Sequence, residues 1–197
     1  MRRMEASAVI LAGGQSSRMG RDKAWVEAAG QPLIRRALET VRAAGITEIF
    51  ISGRAEGDYS ALGCQVLLDR ERGLGPVAGI ERALDAAQAP FLLVLAVDLP
   101  GMTAAFLGKL IQQCRPLAGA VPRLDGGLEP LAAIYPRRCL AIARDCLGRD
   151  QRCACGFAEA CVRERAVRLF PVDSTDAACF ENWNHPADVR GLPGVAP

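Results

Sequence analysis

The residues best suited to chemistry sit where an apolar run breaks into a charged, glycine-containing stretch, Leu11-Ala12-Gly13-Gly14-Gln15-Ser16-Ser17-Arg18-Met19-Gly20-Arg21-Asp22-Lys23. Glycines at such a turn let backbone N–H groups come close to phosphate oxygens, where a side chain would block them. Arg18 and Lys23 add full positive charges to those partial ones. The spacing matches neither Gly-x-x-x-x-Gly-Lys-[Ser/Thr] nor Gly-x-Gly-x-x-Gly, so neither the P-loop nor the dinucleotide fingerprint applies. The plain alternative is a tight connection after a strand. A second candidate is Asp98, which follows the apolar run Phe91–Val97 and precedes Leu99-Pro100. A carboxylate facing phosphates suits Mg²⁺, which takes one or two carboxylates plus phosphate oxygens; a carboxylate capping the turn before Pro100 is the simpler alternative. Asp69 ends another apolar run in the same way. Gly75 and Pro76 open a helix whose free N–H groups favour a polar ligand edge. Asn182 and Asn184, two residues apart, fall on one side of an extended chain; they suit a substrate contact or a turn equally well.

These residues need elements to position them. Ala8–Ala12 is a continuous apolar run of the kind buried on both faces of a parallel sheet. Pro32 opens a helix with Leu33, Ile34, Ala37, Leu38 and Val41 on one face and Gly45 placed to cap it. Ile49–Ile51 and Val66–Leu68 read as strands, Gly79–Ala87 as a helix, Phe91–Val97 as the most strand-like segment, and Thr103 as the cap of a helix carrying Phe106, Leu107, Leu110 and Ile111. The second half predicts strands near 118–121 and 131–135, helices near 139–147 and 156–162, and a strand over 167–172. Strand–helix alternation predicts an α/β fold, with a mostly parallel central sheet and helices on both faces. Ligands of such sheets bind outside the carboxyl ends of the strands, where the candidate loops fall.

At 197 residues the chain predicts one domain, 1–197. It is expected to divide into a first half (1–115), a second half (116–190) and a tail (191–197). Half of the residues are hydrophobic and 23% are charged, which is too apolar for a disordered chain. No apolar run reaches the roughly 20 residues of a membrane helix, and no secretory signal is evident. The net charge is +2 with basic and acidic residues interleaved, so neither a nucleic-acid arm nor a membrane patch stands out. A cytoplasmic protein is expected, with no nucleic-acid or membrane partner. The eight cysteines contain no Cys-x-x-Cys pair, and His185 is the single histidine. Free buried thiols are therefore expected in preference to a zinc site or disulfides. His185 reads as a surface turn residue.

Four motifs occur in order: Leu-Ala-Gly-Gly-x-Ser-Ser-Arg-Met-Gly-x-Asp-Lys (11–23), Gly-Pro-x-Ala-Gly (75–79), Asp-x-Pro (98–100) and Asn-x-Asn-x-Pro (182–186). Together they resemble the molybdenum cofactor guanylyltransferases, also called molybdopterin-guanine dinucleotide synthases, over nearly the whole chain. The first motif alone resembles the wider nucleotidyltransferase superfamily.

The resemblance implies a Rossmann-like nucleotidyltransferase fold that takes GTP and Mg²⁺ and transfers GMP to the terminal phosphate of molybdenum-molybdopterin, releasing pyrophosphate. By the same resemblance Leu11, Ala12, Gly13 and Gly14 would hold the nucleotide, with Ser52, Gly75 and Pro76 beside them. Lys23 would contact the phosphates, Asp69 the nucleoside, and Asp98 the Mg²⁺. Arg18 would neutralise the departing pyrophosphate, and Asn182 and Asn184 would face the acceptor. It also implies a molybdenum-inserting protein and molybdoenzyme chaperones as partners. Three positions depart from the family pattern: Ser52 stands where Asn is usual, His185 replaces Thr, and Trp183, expected to pack in the core, separates the two amides. The cytidylyl branch usually reads Thr-Ala-Ala-Gly at the first loop, so CTP use is the second reading. A non-catalytic nucleotide-binding protein is a remoter one.

Overall fold

The computed structural model describes residues 4–13, 23–28, 30–54, 57–68 and 74–182. In chain order, β1 (Ala6–Leu11) is followed by a 3-10 turn (Lys23–Trp25) and a short hairpin of β2 (Glu27–Ala28) and β3 (Gln31–Pro32). Next come α1 (Leu33–Ala43), β4 (Ile49–Gly53), β5 (Gln65–Leu68), α2 (Pro76–Ala86), β6 (Phe91–Ala96) and α3 (Ala104–Gln113). The second half contributes β7 (Gly119–Leu124), β8 (Gly127–Leu128), β9 (Ala132–Pro136), α4 (Cys139–Gly148), α5 (Ala154–Arg163) and β10 (Val167–Pro171), and closes on a 3-10 turn (Ala177–Phe180).

The main sheet has the order β10-β7-β9-β6-β1-β4-β5, with β8 paired to β7. β1 lies parallel between β4 and β6, β5 is parallel to β4, and β10 is parallel to β7. β9 runs antiparallel to both β6 and β7. The sheet is thus mostly parallel, as predicted, with two reversed strands, the short β8 and β9, that the sequence pattern did not show. The reversal follows from the tight β7–β8 turn, which pairs Arg123 with Leu128 and Leu124 with Gly127 and sends the chain back the way it came.

Both faces of the sheet are covered. Along β6, Leu93 and Leu95 face the layer of α1 and α3 with Ile34, Leu38, Phe106 and Leu110, while Leu92 and Val94 face the layer of α2, α4 and α5 with Ile80, Leu84 and Phe157. All six residues of β6 are buried, which is why its sequence is uninterrupted apolar rather than alternating. α1 begins after Pro32 with its five expected apolar residues buried, and Gly45 adopts φ 84° just past its end. Thr103 Oγ1 accepts from the Phe106 N–H and caps α3. α2 starts at Pro76, as the Gly75-Pro76 opening predicts and three residues before the start of its apolar pattern at Gly79; Pro76 occupies the first turn, where its missing N–H costs nothing.

Candidate active site

The carboxyl ends of the three central strands meet at one level. Leu11 pairs with Ser52 of β4 and with Ala96 of β6. The Leu11 carbonyl accepts from Val97 N–H at 3.2 Å. The Ser52 carbonyl accepts from both Ala12 N–H (2.8 Å) and Gly13 N–H (3.1 Å). The first turn after β1 is therefore tied across β4, and the amide protons of Ala12 and Gly13 are used by the fold. Any ligand contact through these two residues must come from their carbonyls or their Cα surface.

Ser52 itself is only 4% exposed. Its Oγ lies against Gly79 of α2, where a Cβ would collide with it and also come within 3.0 Å of Leu11 Cδ2. Absence of a side chain at Gly79 lets α2 pack directly on the strand ends. Its neighbour in the motif, Gly75, has φ 72°, and a Cβ there would sit 2.9 Å from the Arg152 carbonyl. Gly75 is the N-cap of α2, so the amino end of that helix is held at the same rim.

Lys23 and Asp98 come together here. Lys23 Nζ donates to Asp98 Oδ2 at 2.8 Å, with side chains 17% and 26% exposed. Lys23 stands on the 3-10 turn that follows the first loop, and Asp98 stands two residues beyond β6. The turn carrying Asp98 is clamped from two sides. Arg36 Nε of α1 donates to the Pro100 carbonyl at 2.7 Å, and Gly101 lies against the Ala178 carbonyl so closely that a Cβ would overlap it. Asn182 lies four residues beyond Ala178 and is exposed. Gly14, Arg18, Asp69, Trp183, Asn184 and His185 lie outside the described residues.

A carboxylate oxygen is a hard donor of the kind Mg²⁺ prefers, and Asp98 is accessible at the strand ends. Asp98 alone supplies one protein ligand, which fits an ion completed by phosphate oxygens and water. Among the described residues no cluster of three or more acidic, histidine or cysteine side chains is placed to hold a metal.

Three residues at or beside this rim escaped the sequence reading. Arg36 looks like one surface cation among many on α1, and only the fold brings it to Pro100. Glu129 lies at the amino end of β9, beside the carboxyl end of β6, because β9 is reversed. Burial raises the Glu129 pKa above its ordinary value. Cys153, at the N-cap of α5, is exposed, and so is Cys155; the expectation of buried thiols holds for Cys114, Cys139, Cys146, Cys161 and Cys179 but not for these two. The N–H groups of Gly156 and then Cys155 lower the Cys153 pKa.

A mostly parallel α/β sheet covered by helices on both faces, with a paired lysine and aspartate at the ends of its central strands, is an architecture of the nucleotidyltransferase class. Comparison with known proteins narrows this: the chain belongs to the family of the MobA-like NTP transferase domain, whose model matches residues 8–164. A relative from Opitutus terrae named "Probable molybdenum cofactor guanylyltransferase" is 42% identical over 91% of this chain and 90% of its own length. One of the same name from Pelotomaculum thermopropionicum is 35% identical over 95% of this chain and 85% of its own. In fold, the chain resembles the crystal structure of molybdopterin-guanine dinucleotide biosynthesis protein A from Archaeoglobus fulgidus, with a TM-score of 0.73 at 24% identity over 93% and 94% of the two chains.

Proposed function

We propose that the protein transfers GMP from GTP to the terminal phosphate of molybdenum-molybdopterin, releasing pyrophosphate. The observation that carries this reading is the Lys23–Asp98 pair at the carboxyl ends of β1 and β6, in a chain whose relatives carry that activity in their names. In the reaction an oxygen of the acceptor phosphate attacks the α-phosphorus of GTP. A new P–O bond forms, the bond from the α-phosphorus to the bridging oxygen breaks, and pyrophosphate leaves with the electron pair. The attacking oxygen is already anionic at neutral pH, so no side chain has to remove a proton.

The obstacle is charge: two polyanions must approach, and more charge gathers on the leaving group. Lys23 places a fixed cation where the phosphates arrive, and Arg18, in this proposal, neutralises the departing pyrophosphate. Asp98 would hold Mg²⁺, which when bound would neutralise and orient the phosphate oxygens. Lys23 and Asp98 hold each other in position before substrate arrives, so both are preorganised.

Leu11, Ala12, Gly13, Gly14, Ser52, Asp69, Gly75 and Pro76 form the nucleotide side of this proposal, and Asn182 and Asn184 the acceptor side. Ser52 acts chiefly through its carbonyl, which fixes the first turn, since its hydroxyl is packed against Gly79. The division into a nucleotide-binding half and an acceptor-binding half, exchange with molybdenum-inserting and chaperone partners, and a cytoplasmic setting belong to the same proposal. Calorimetric titration with GTP, CTP and ATP, each with Mg²⁺, tests it. GTP alone should bind, and Lys23→Ala should abolish that binding; preference for CTP, or binding of none, would overturn it.

A further inference from the structure

Five acidic side chains among the described residues are at least half-buried: Glu48, Glu81, Asp98, Glu129 and Asp176. Four of them have partners. Glu48 accepts from Ser7 and from the Gln88 N–H, Glu81 pairs with Arg144, Asp98 with Lys23, and Asp176 with Lys109. The Glu129 carboxylate has neither a hydrogen bond nor an ion pair with any described residue. A carboxylate withdrawn from water without a partner is costly unless something else completes it.

Its backbone, in contrast, is held on every side. The Glu129 N–H donates to Pro122 O at 2.9 Å, and its carbonyl accepts from Ala132 N–H at 3.3 Å. The buried Tyr135 hydroxyl donates to the next carbonyl, that of Pro130, at 2.9 Å, and Ala96 N–H of β6 donates to Leu131 O at 2.7 Å. Asp98 lies two residues beyond Ala96, and Glu129 two residues before Leu131. Because β6 and β9 are antiparallel, both acids project past the same end of the sheet. The Glu129 backbone is thus fixed at the end of the sheet where Asp98 stands, and its carboxylate, without a hydrogen bond to any described residue, has its acceptor oxygens available.

We propose that Glu129 reads the donor edge of a 2-amino-4-oxopyrimidine ring, accepting from the ring N–H and the adjacent amino group. The inference rests on the guanylyl-transfer reading, whose two substrates share this edge: guanine and the pterin each present a ring N–H beside an exocyclic NH₂. Two parallel donors match the two oxygens of one carboxylate, and charge-assisted bonds of this kind are the stronger ones. Burial already raises the proton affinity of Glu129, as expected of a carboxylate awaiting donors.

The test compares wild type with Glu129→Gln, which keeps the size and removes the charge. Calorimetry with Mg²⁺ compares GTP with ITP, which lacks the 2-amino group; fluorescence and competition compare pterin with lumazine, which carries an oxo group in its place. Wild type should favour the amino-bearing member of at least one pair by roughly tenfold or more, the scale of a hydrogen bond to a charged group. In Glu129→Gln that ratio should fall towards one, while the other pair is unchanged; which ratio collapses identifies guanine or pterin as the ring read. Equal ratios in both proteins, with GTP still bound, would overturn this inference and leave guanylyl transfer standing. No GTP binding by wild type, with the pterin ratio still collapsing, would overturn guanylyl transfer and leave the role of Glu129. Weaker binding of Mg²⁺ alone in Glu129→Gln, with both ratios intact, would make Glu129 a metal ligand and overturn it too. Glu129→Ala, checked by thermal melting, separates loss of the charge from any local unfolding.

Discussion

Lys23 Nζ and Asp98 Oδ2 lie 2.8 Å apart although 75 residues separate them in the chain. Each is mostly withdrawn from water, so each neutralises a charge that would otherwise be poorly solvated. Asp98→Ala should lower turnover by about 10²–10³-fold, the typical effect of removing one group that stabilises a transition state. It should also cost about 1–2 kcal/mol of stability, between the values for surface and buried pairs, because the half-buried Lys23–Asp98 ion pair is lost. Steady-state kinetics and denaturant melts of Asp98→Ala, Lys23→Ala and the double variant check this. Turnover by Asp98→Ala at the wild-type rate would remove Asp98 from the chemistry.

Gly79→Ala sets two effects against each other. Alanine favours a helix over glycine by about 1 kcal/mol, but its Cβ would strike Ser52 Oγ and press on Leu11 Cδ2. Overpacking of this kind costs about 1–3 kcal/mol, so the net change is destabilising and reaches the first turn through Ser52. Adding Ser52→Gly removes the obstructing hydroxyl and should return part of the stability. A denaturant-melt cycle over the four proteins reads the coupling, and simple additivity would contradict the close packing.

Alkaline pH should destabilise the protein from about pH 9 upward. Burial pushes the Cys114 thiol from 9.0 up to about 12, and burial also raises Tyr135 well above its ordinary 10.0. Both groups are neutral when folded and can ionise more readily when unfolded. Their contribution is therefore complete below the unfolded pKa values and declines as pH rises through the window between unfolded and folded values. Each group held neutral costs about 1.4 kcal/mol per pH unit within that window. Melting temperatures from pH 8 to 11 should fall, and Cys114→Ala should flatten the first part of the decline.

Cys153 should be the first thiol modified by iodoacetamide. It is exposed at the start of α5, and the N–H groups of Gly156 and Cys155 favour its thiolate, whereas burial raises Cys155, Cys146 and Cys114. Mass spectrometry of briefly labelled native protein should find the label on Cys153 before Cys155. Equal labelling of the two would contradict the difference between them.

Tyr135→Phe should remove the hydrogen bond that fixes Pro130 and leave its buried carbonyl unpaired, at a cost of about 1–3 kcal/mol. Hydrogen exchange should quicken at Leu131 and Ala132 more than in β1. A uniform change across the sheet would argue against a local anchoring role.

Much of the fold could be read because its signals are local. Apolar runs bounded by glycine, proline and charge locate β1, β4, β5 and β6, and the caps at Thr103 and Gly45 depend only on neighbouring backbone groups. The motif carrying Lys23 and the Asp98-x-Pro turn were likewise visible as residue types in order. The two-residue strands β2, β3 and β8 were not, because segments that short carry no periodicity to detect. The reversal of β9 was not legible either, since a buried apolar strand looks the same in either direction.

The sequence by itself therefore determined where the longer strands and the helices fall, and which residue types could meet phosphates at the strand ends. Tertiary structure decided the rest. It joined Lys23 to Asp98, set Arg36 against Pro100, and used the Ala12 and Gly13 amides on Ser52. It also placed the half-buried Glu129 at the same end of the sheet, without a partner among the described residues. The physical reason is that strand order and direction are fixed by burying both faces of one sheet at once, a condition on the whole chain that no local window contains.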